Sequence, residues 1–354
     1  RASGGMKESV NAPNRSAARA AALGWLAEHV GAQAHALDDG GADPATIEAG
    51  GHRFRLAWTA SGAVAAVEQA LRRLATAPSG DRSIPVVATT FMGEAGAARC
   101  KAANVGWLDL SGNASLRGPG LRVEVRGAPN RFVRRGRPAN PFAPKSARVA
   151  RWLLMHPHEP WRQRDLAAAV GLSEGAVSKV VRAYEADGLI ARDPDGAVAV
   201  TDPPLLLDAW RERYRFDRHR VRAGTMAARS GVDLTRRVAA LLRDANVEHA
   251  FTGLAAAWWW DGFATFRTTA VFVDSCSDGL LRDAGFVDEP RGANLWLVTP
   301  DDAGVFHGAS QRDGVPVVHP VQAYLDLGAQ AERAAEAAEH LRAHVLSERW
   351  GRRA

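Results

Sequence analysis

PFAPKSARVARWLLMHPHEPWRQRDLAAAVGLSEGAVSKVVRAYEADGLIARDPDGAVAVT, residues 141–201, decides how the chain is read. Its first helical stretch, residues 146–155, carries Val149, Leu153 and Leu154 on one side. The second, residues 163–170, is short and alanine-rich, and Gly171-Leu172 makes a tight turn. Ser173 suits the N-cap of a third helix, because its side-chain oxygen accepts from an orphan backbone N–H. That helix is expected to reach Asp187, with Gly188 closing it. Residues 189–191, a Pro194-Asp195-Gly196 turn and residues 197–201 then predict a small hairpin, the wing. The pattern is that of a winged helix-turn-helix.

In such a module the third helix enters the major groove of double-stranded DNA. Val177, Val180, Val181 and Tyr184 recur at helical spacing and should face inward. The opposite face presents Gly175, Ser178, Lys179 and Arg182, with Ser173 at its start. Lys179 and Arg182 suit phosphate or guanine, and Ser178 suits either kind of contact. The competing reading is a module used for protein contacts, with both cations merely solvated. The wing tip carries Asp193 and Asp195, which would repel phosphate.

At 354 residues the chain is long enough for two or three domains. Hydrophobic residues at 46% suffice for real cores, and a net charge of +6 is compatible with nucleic acid without requiring it. Cys100 and Cys276 lie far apart, which predicts neither a disulfide scaffold nor a zinc site and fits a reducing cytoplasm. No apolar run approaches a membrane span. Residues 1–5, ahead of Met6, read as a cloning remnant and are left out of the fold reading. High Ala and Arg content suggests a GC-rich bacterial genome.

Residues 6–127 alternate helices and strands, predicting an α/β domain with a parallel or mixed sheet. The order resembles the core of the restriction-endonuclease-like fold. Such nucleases need clustered acids and a lysine to hold a metal. Here the candidate strand reads RFRLAW, with Arg53 and Arg55 in the acidic positions. Asp109, in WLDLSGN, sits at a strand end but lacks a partner acid; a capped turn with Asn113 is the preferred reading. The domain is therefore expected to be inactive.

Residues 128–145 form a basic, proline-rich linker. Arg131, Arg134, Arg135, Arg137, Lys145, Arg148 and Arg151 are the densest basic cluster in the chain. Two readings stay open: solvated chain, or an arm along the phosphate backbone. After the winged helix-turn-helix (residues 146–203), residues 204–354 predict a second α/β domain. A helix from Leu205 to about Asp217 is expected, its surface crowded with arginines. A turn at Thr252-Gly253-Leu254 and a strand ending at Asp274 suggest a nucleotidyltransferase-like shape, which needs two acids on one strand for magnesium. Asp278 is too far from Asp274 to pair with it, so this domain too reads as degenerate and inactive. His156 and His158 are expected to be solvated turn residues.

Several segments together, GWLDLSGNASL, NPFAPKSARVARWLL, GLSEGAVSKVVRAYEADGLI, TGLAAAW and PVQAYLDL with AAEHLR, resemble the AbiEi-family antitoxins of type IV toxin–antitoxin systems. The resemblance implies a DNA-binding repressor of its own operon that opposes a cognate toxin without stable binding to it. The better-known branch of that family begins with the winged helix, whereas here an α/β domain precedes it. The resemblance points to Ser173, Ser178, Lys179 and Arg182 as the DNA-facing set.

The reading is a cytoplasmic α+β multidomain regulator with no catalytic activity, no cofactor and no metal, a partner of double-stranded DNA as a homodimer. Its expected DNA-binding residues are Ser173, Gly175, Ser178, Lys179, Arg182, Arg134, Arg135, Arg137 and Lys145. The alternatives are a divergent metal-dependent nuclease and a nucleotidyltransferase.

Overall fold

The computed structural model describes residues 13–38, 42–76, 81–132, 140–275 and 277–351. They fall into two compact units, Arg1–Ala139 and Asn140–Ala354.

The first unit begins with α1 (Arg15–His29), whose cap is Asn14, accepting from the Ala17 N–H at 2.9 Å. Then come β1 (Ala34–Ala36), β2 (Ala45–Ala49), β3 (His52–Thr59), α2 (Val64–Ala75), β4 (Ile84–Thr89), α3 (Glu94–Ala102), β5 (Gly106–Asp109), β6 (Ala114–Gly118) and β7 (Leu121–Val125). The described strands form one sheet in chain order. β3, β4 and β5 are mutually parallel, because α2 and α3 supply the crossovers that parallel pairing needs; the outer pairings are antiparallel.

Strand alternation sorts the side chains onto the two faces of the sheet. In β4, Ile84, Val86 and Ala88 pack with Leu26 of α1, Ile47, Phe54, Leu108 and Leu116. Val87 packs the other way, with Val67, Ala70 and Leu74 of α2 and Cys100 of α3. Each such large apolar side chain, fully buried, contributes roughly 1.5–3 kcal/mol. Burial pushes the Cys100 thiol up to about 12, so it packs as an apolar group.

The sequence reading missed β1 and β2. Their inward positions in β2 are Ala45, Ile47 and Ala49, a period-two pattern written mostly in alanine. The β2–β3 hairpin turns on Gly50 and Gly51, both at positive φ, as a type I′ turn requires.

The second unit opens with α4 (Pro144–Met155), α5 (Gln163–Val170) and α6 (Glu174–Ala186), followed by the hairpin β8 (Ile190–Arg192) and β9 (Val198–Val200). Gly171 closes α5 in the left-handed conformation at φ 65°, and Ser173 caps α6 by accepting from the Ala176 N–H. Val177, Val180, Val181 and Tyr184 are buried, as the spacing predicts. Trp161, ahead of α5, bridges to Val198 and ties the wing to the α4–α5 turn. His156 is no solvated turn residue: it packs tilted against Trp152 and edge-on to Trp161, while His158 is exposed.

Next come α7 (Pro203–Arg211), β10 (Arg220–Gly224), α8 (Gly231–Asp244), β11 (His249–Thr252), α9 (Gly253–Asp261), β12 (Thr269–Val273), α10 (Asp278–Asp283), β13 (Leu295–Thr299), β14 (Ser310–Arg312), β15 (Val315–Val317), α11 (Pro320–Leu327) and α12 (Ala334–His340). A π-helical turn, Leu341–Leu346, and α13 (Ser347–Gly351) end the described chain. The strands form a mixed sheet in the order β10-β13-β12-β11-β15-β14.

Here the structure corrects the expected helix from Leu205 to Asp217. α7 stops at Arg211, and Arg220 and Arg222 lie on the edge strand β10, antiparallel to β13. The expected single helix over residues 332–348 is likewise interrupted by the π turn.

Helix α11 is buried along its whole length. Its cap is His319, whose Nδ1 accepts from the Val321 N–H at 3.2 Å, so the cap exists only with that nitrogen unprotonated. Burial pushes the His319 imidazole down to about 3. Unfolding therefore takes up a proton at this site below about pH 6.5, and its contribution is lost as pH falls from there towards 3. The slope is at most about 1.4 kcal/mol per pH unit for this one group. His319→Asn, which keeps an acceptor without a titrating ring, should reduce the acid slope of stability between pH 6 and 4 by close to one proton. Urea melts of both proteins across that range measure it.

Candidate nucleic-acid interface

The sequence-predicted residues of α6 lie on its outer face. Ser173, Gly175, Lys179 and Arg182 are exposed and Ser178 is half-buried, on the side away from Val177 and Val181. Gly175 faces open space: a Cβ there would meet nothing within 4 Å. Arg182 lies back along its helix, its Nε donating to the Ser178 carbonyl at 3.3 Å and leaving the terminal nitrogens outward. Neither Lys179 nor Arg182 is in an ion pair among the described residues. Lys145 is exposed in the first turn of α4. Arg134, Arg135 and Arg137 lie outside the described residues.

The wing adds little positive charge. Asp193 holds the tip together, its Oδ1 accepting from the Asp195 and Ala197 N–H groups at 3.0 and 2.8 Å. Arg192 pairs with Glu185 of α6 at 2.6 Å. Sequence reading passed over Arg162 and Arg164, both exposed where α5 begins. Two arginines at the start of a short helix were the available signal.

The remaining basic clusters prove to be largely engaged within the fold. Arg148 makes two hydrogen bonds to Asp302, at 2.7 and 2.8 Å. Arg151 is 3% exposed, stacks over Trp210 and donates to the Gln322 side chain. Neither is free to lie along a DNA backbone. After the wing, Arg211 donates to the Tyr324 carbonyl, Arg215 pairs with Asp217, and Arg222 bridges Asp278 and Asp288. Only Arg213, Arg218 and Arg220 of that run stay exposed and outside the ion pairs.

Behind α4 the polar groups form a connected network. Gln322 donates to Asp326 at 2.8 Å and to the Tyr214 hydroxyl at 3.0 Å. Thr252 donates to the other Asp326 oxygen at 2.5 Å, and Tyr214 also donates to Asp326. His219 Nδ1 accepts from the Asp301 N–H, so the proton of a neutral ring sits on Nε2 and faces Tyr214 Oη at 2.9 Å. Burial dominates all four ionisable groups, and it pushes the Tyr214 hydroxyl well up. It also pushes Arg151 down to about 10, His219 down to about 4 and Asp326 up to about 6.

Of the two catalytic candidates, Asp109 is engaged structurally and Asp274 is not. Asp109 is fully buried. One oxygen accepts from the Ser111 and Asn113 N–H groups, and the other from the Met92 N–H and Asn113 Nδ2, all within 3.1 Å. Asn113 in turn bonds both backbone groups of Ala128. Arg55, in the RFRLAW strand, is buried and donates to the Leu74 carbonyl. In the second unit, Asp274 is exposed at the end of β12, and Asp278 is engaged by Arg222. The N-terminus of α9 is stopped by Gln330, whose Oε1 accepts from the Leu254 N–H at 2.6 Å. Among the described residues no three His, Cys, Asp or Glu side chains cluster to hold a metal ion.

The family described as Crp-like helix-turn-helix domain matches residues 147–209, from α4 through most of α7. No curated protein and no solved structure matches the chain. With the exposed face of α6, that similarity supports a DNA-binding transcription regulator. No described helix is long and apolar enough to cross a membrane.

Asp109→Ala should strand four donors that the carboxylate now satisfies and destabilise the first unit by about 2–4 kcal/mol. Chemical denaturation followed by circular dichroism would show an earlier transition; an unchanged midpoint would contradict the structural role.

Proposed function

We propose that the chain is a DNA-binding repressor of antitoxin type, acting on the control region of its own operon as a homodimer. The observation that carries this reading is the outer face of α6, where Lys179 and Arg182 stand unshared in a segment similar to Crp-like helix-turn-helix domains. Ser173, Gly175 and Ser178 leave room there for close approach to base edges. Lys145 and Arg162 add exposed charge on α4 and ahead of α5.

The antitoxin assignment rests on the resemblance of GWLDLSGNASL, TGLAAAW and PVQAYLDL to the AbiEi family. In this reading the first unit is an inactive restriction-endonuclease-like domain, and the sheet lobe after the wing is an inactive nucleotidyltransferase-like one. The committed hydrogen bonds of Asp109 and the Gln330 plug at α9 support inactivity in each. A dimer would set two α6 helices into half-sites about one helical turn apart.

The test uses duplexes from the DNA flanking the chain's own gene. Lys179→Ala should weaken binding to every duplex alike and lower the slope of log affinity against log salt by about 1. Arg182→Ala should cost about 1–3 kcal/mol and relax the preference at one base position. Fluorescence anisotropy at several salt concentrations gives both quantities. Full affinity in both variants, for a duplex that the parent binds, would remove α6 from the interface.

A further inference from the structure

A recess in the second unit lies between the N-terminal half of α4, the end of α7 and the loop after β13. Phe142, Arg151, Trp210, Arg213, Arg218 and Asp301 are among its walls. Two of these carry buried N–H groups without partners. Arg151 Nε is unpartnered although Arg151 is 3% exposed, and Trp210 Nε1 is unpartnered although Trp210 is 1% exposed. A buried donor left unmade costs about 1–3 kcal/mol, so two in one recess need an explanation.

The charge around the recess leans the same way. Arg213 and Arg218 stand exposed at it, and Arg218 has no ion-pair partner among the described residues. Of the acids, Asp302 is taken up by Arg148 and the Gly304 N–H, which leaves Asp301. His219 is held neutral by burial. No buried side-chain acceptor lining the recess lacks a donor. Unmade donors, surplus cations and an aromatic wall together describe the complement of an anionic head on a small apolar body.

We infer that this recess binds a small organic anion through a carboxylate or phosphate group held by Arg151, Trp210 and Arg218. A ligand seated there touches α4, the helix on which the helix-turn-helix is mounted, and the loop that carries Asp301 and Asp302. It is thereby placed to act as an effector of whatever α6 binds. The site itself does not rest on the DNA-binding reading.

Calorimetric titration of the whole chain with benzoate and, separately, with inorganic phosphate, each at constant ionic strength, tests the inference without DNA. Saturable binding of at least one is expected, and which one binds identifies the head group. Arg218→Ala should weaken it at least fivefold. Trp210→Phe, which keeps the ring packing but removes the N–H, should weaken it as well. Lys179→Ala should leave it unchanged. No saturable heat with either anion overturns the inference, as does binding that Arg218→Ala leaves intact. Failure of DNA binding in Lys179→Ala with anion binding retained keeps the two sites separate.

Discussion

A guanidinium shut away from water is the constraint on which the second unit is built. Arg151 points from α4 into the sheet lobe, and it is tolerated there because Trp210 lies under it and Gln322 links it to the Asp326 carboxylate. Isolated buried charges cost several kcal/mol, and attraction repays this only with good geometry and full hydrogen bonding. The structure meets that condition on the carboxylate side, where Thr252, Tyr214 and Gln322 all donate to Asp326. An arrangement with so many directional requirements accepts few alternative dockings of α4. Arg148 with Asp302, and Trp350 donating to the Leu154 carbonyl, fix the same helix from its other sides.

Rigid mounting of α4 carries over to α6. Tyr184 is buried in the module and donates to the Pro141 carbonyl just ahead of α4, while Phe142 packs between Tyr184 and Trp210. The outer face of α6 is therefore presented on a short, fully packed stack. Asp208 and Arg342 join α7 to the π-helical turn by two hydrogen bonds. The similarity to known helix-turn-helix domains runs on through α7, which suits a helix that is part of the module's support rather than a link beyond it.

The winged module was legible because its elements obey local rules that short stretches can carry. Helical spacing of Val177, Val181 and Tyr184, a serine cap and a left-handed glycine each have one dominant structural meaning. β1, β2 and β10 were not legible, since their inward positions are filled by alanine or their run is dominated by arginine, so period two is invisible in hydropathy. Arg148 and Arg151 were misplaced for a related reason. In sequence they extend a basic cluster, and only long-range partners at residues 302 and 322 turn them inward. One local hint existed: Arg151 lies four residues after Ala147 and three before Leu154, on the buried stripe of α4. Asp109 was read as a turn residue from its neighbours, but its bond to the Met92 N–H bridges two strand ends and has no local signature.

Gln330 and Gly253 have a consequence for how this lobe can change over time. Gly253 sits at φ 58°, with the Gln330 amide occupying the space that any side chain on it would need. A larger residue at 253 would have to displace that amide, while losing the amide would leave the Leu254 N–H without its acceptor. Each residue thus penalises drift at the other, although they lie far apart in the chain. In descent they should behave as one character, retained as a pair or exchanged as a pair.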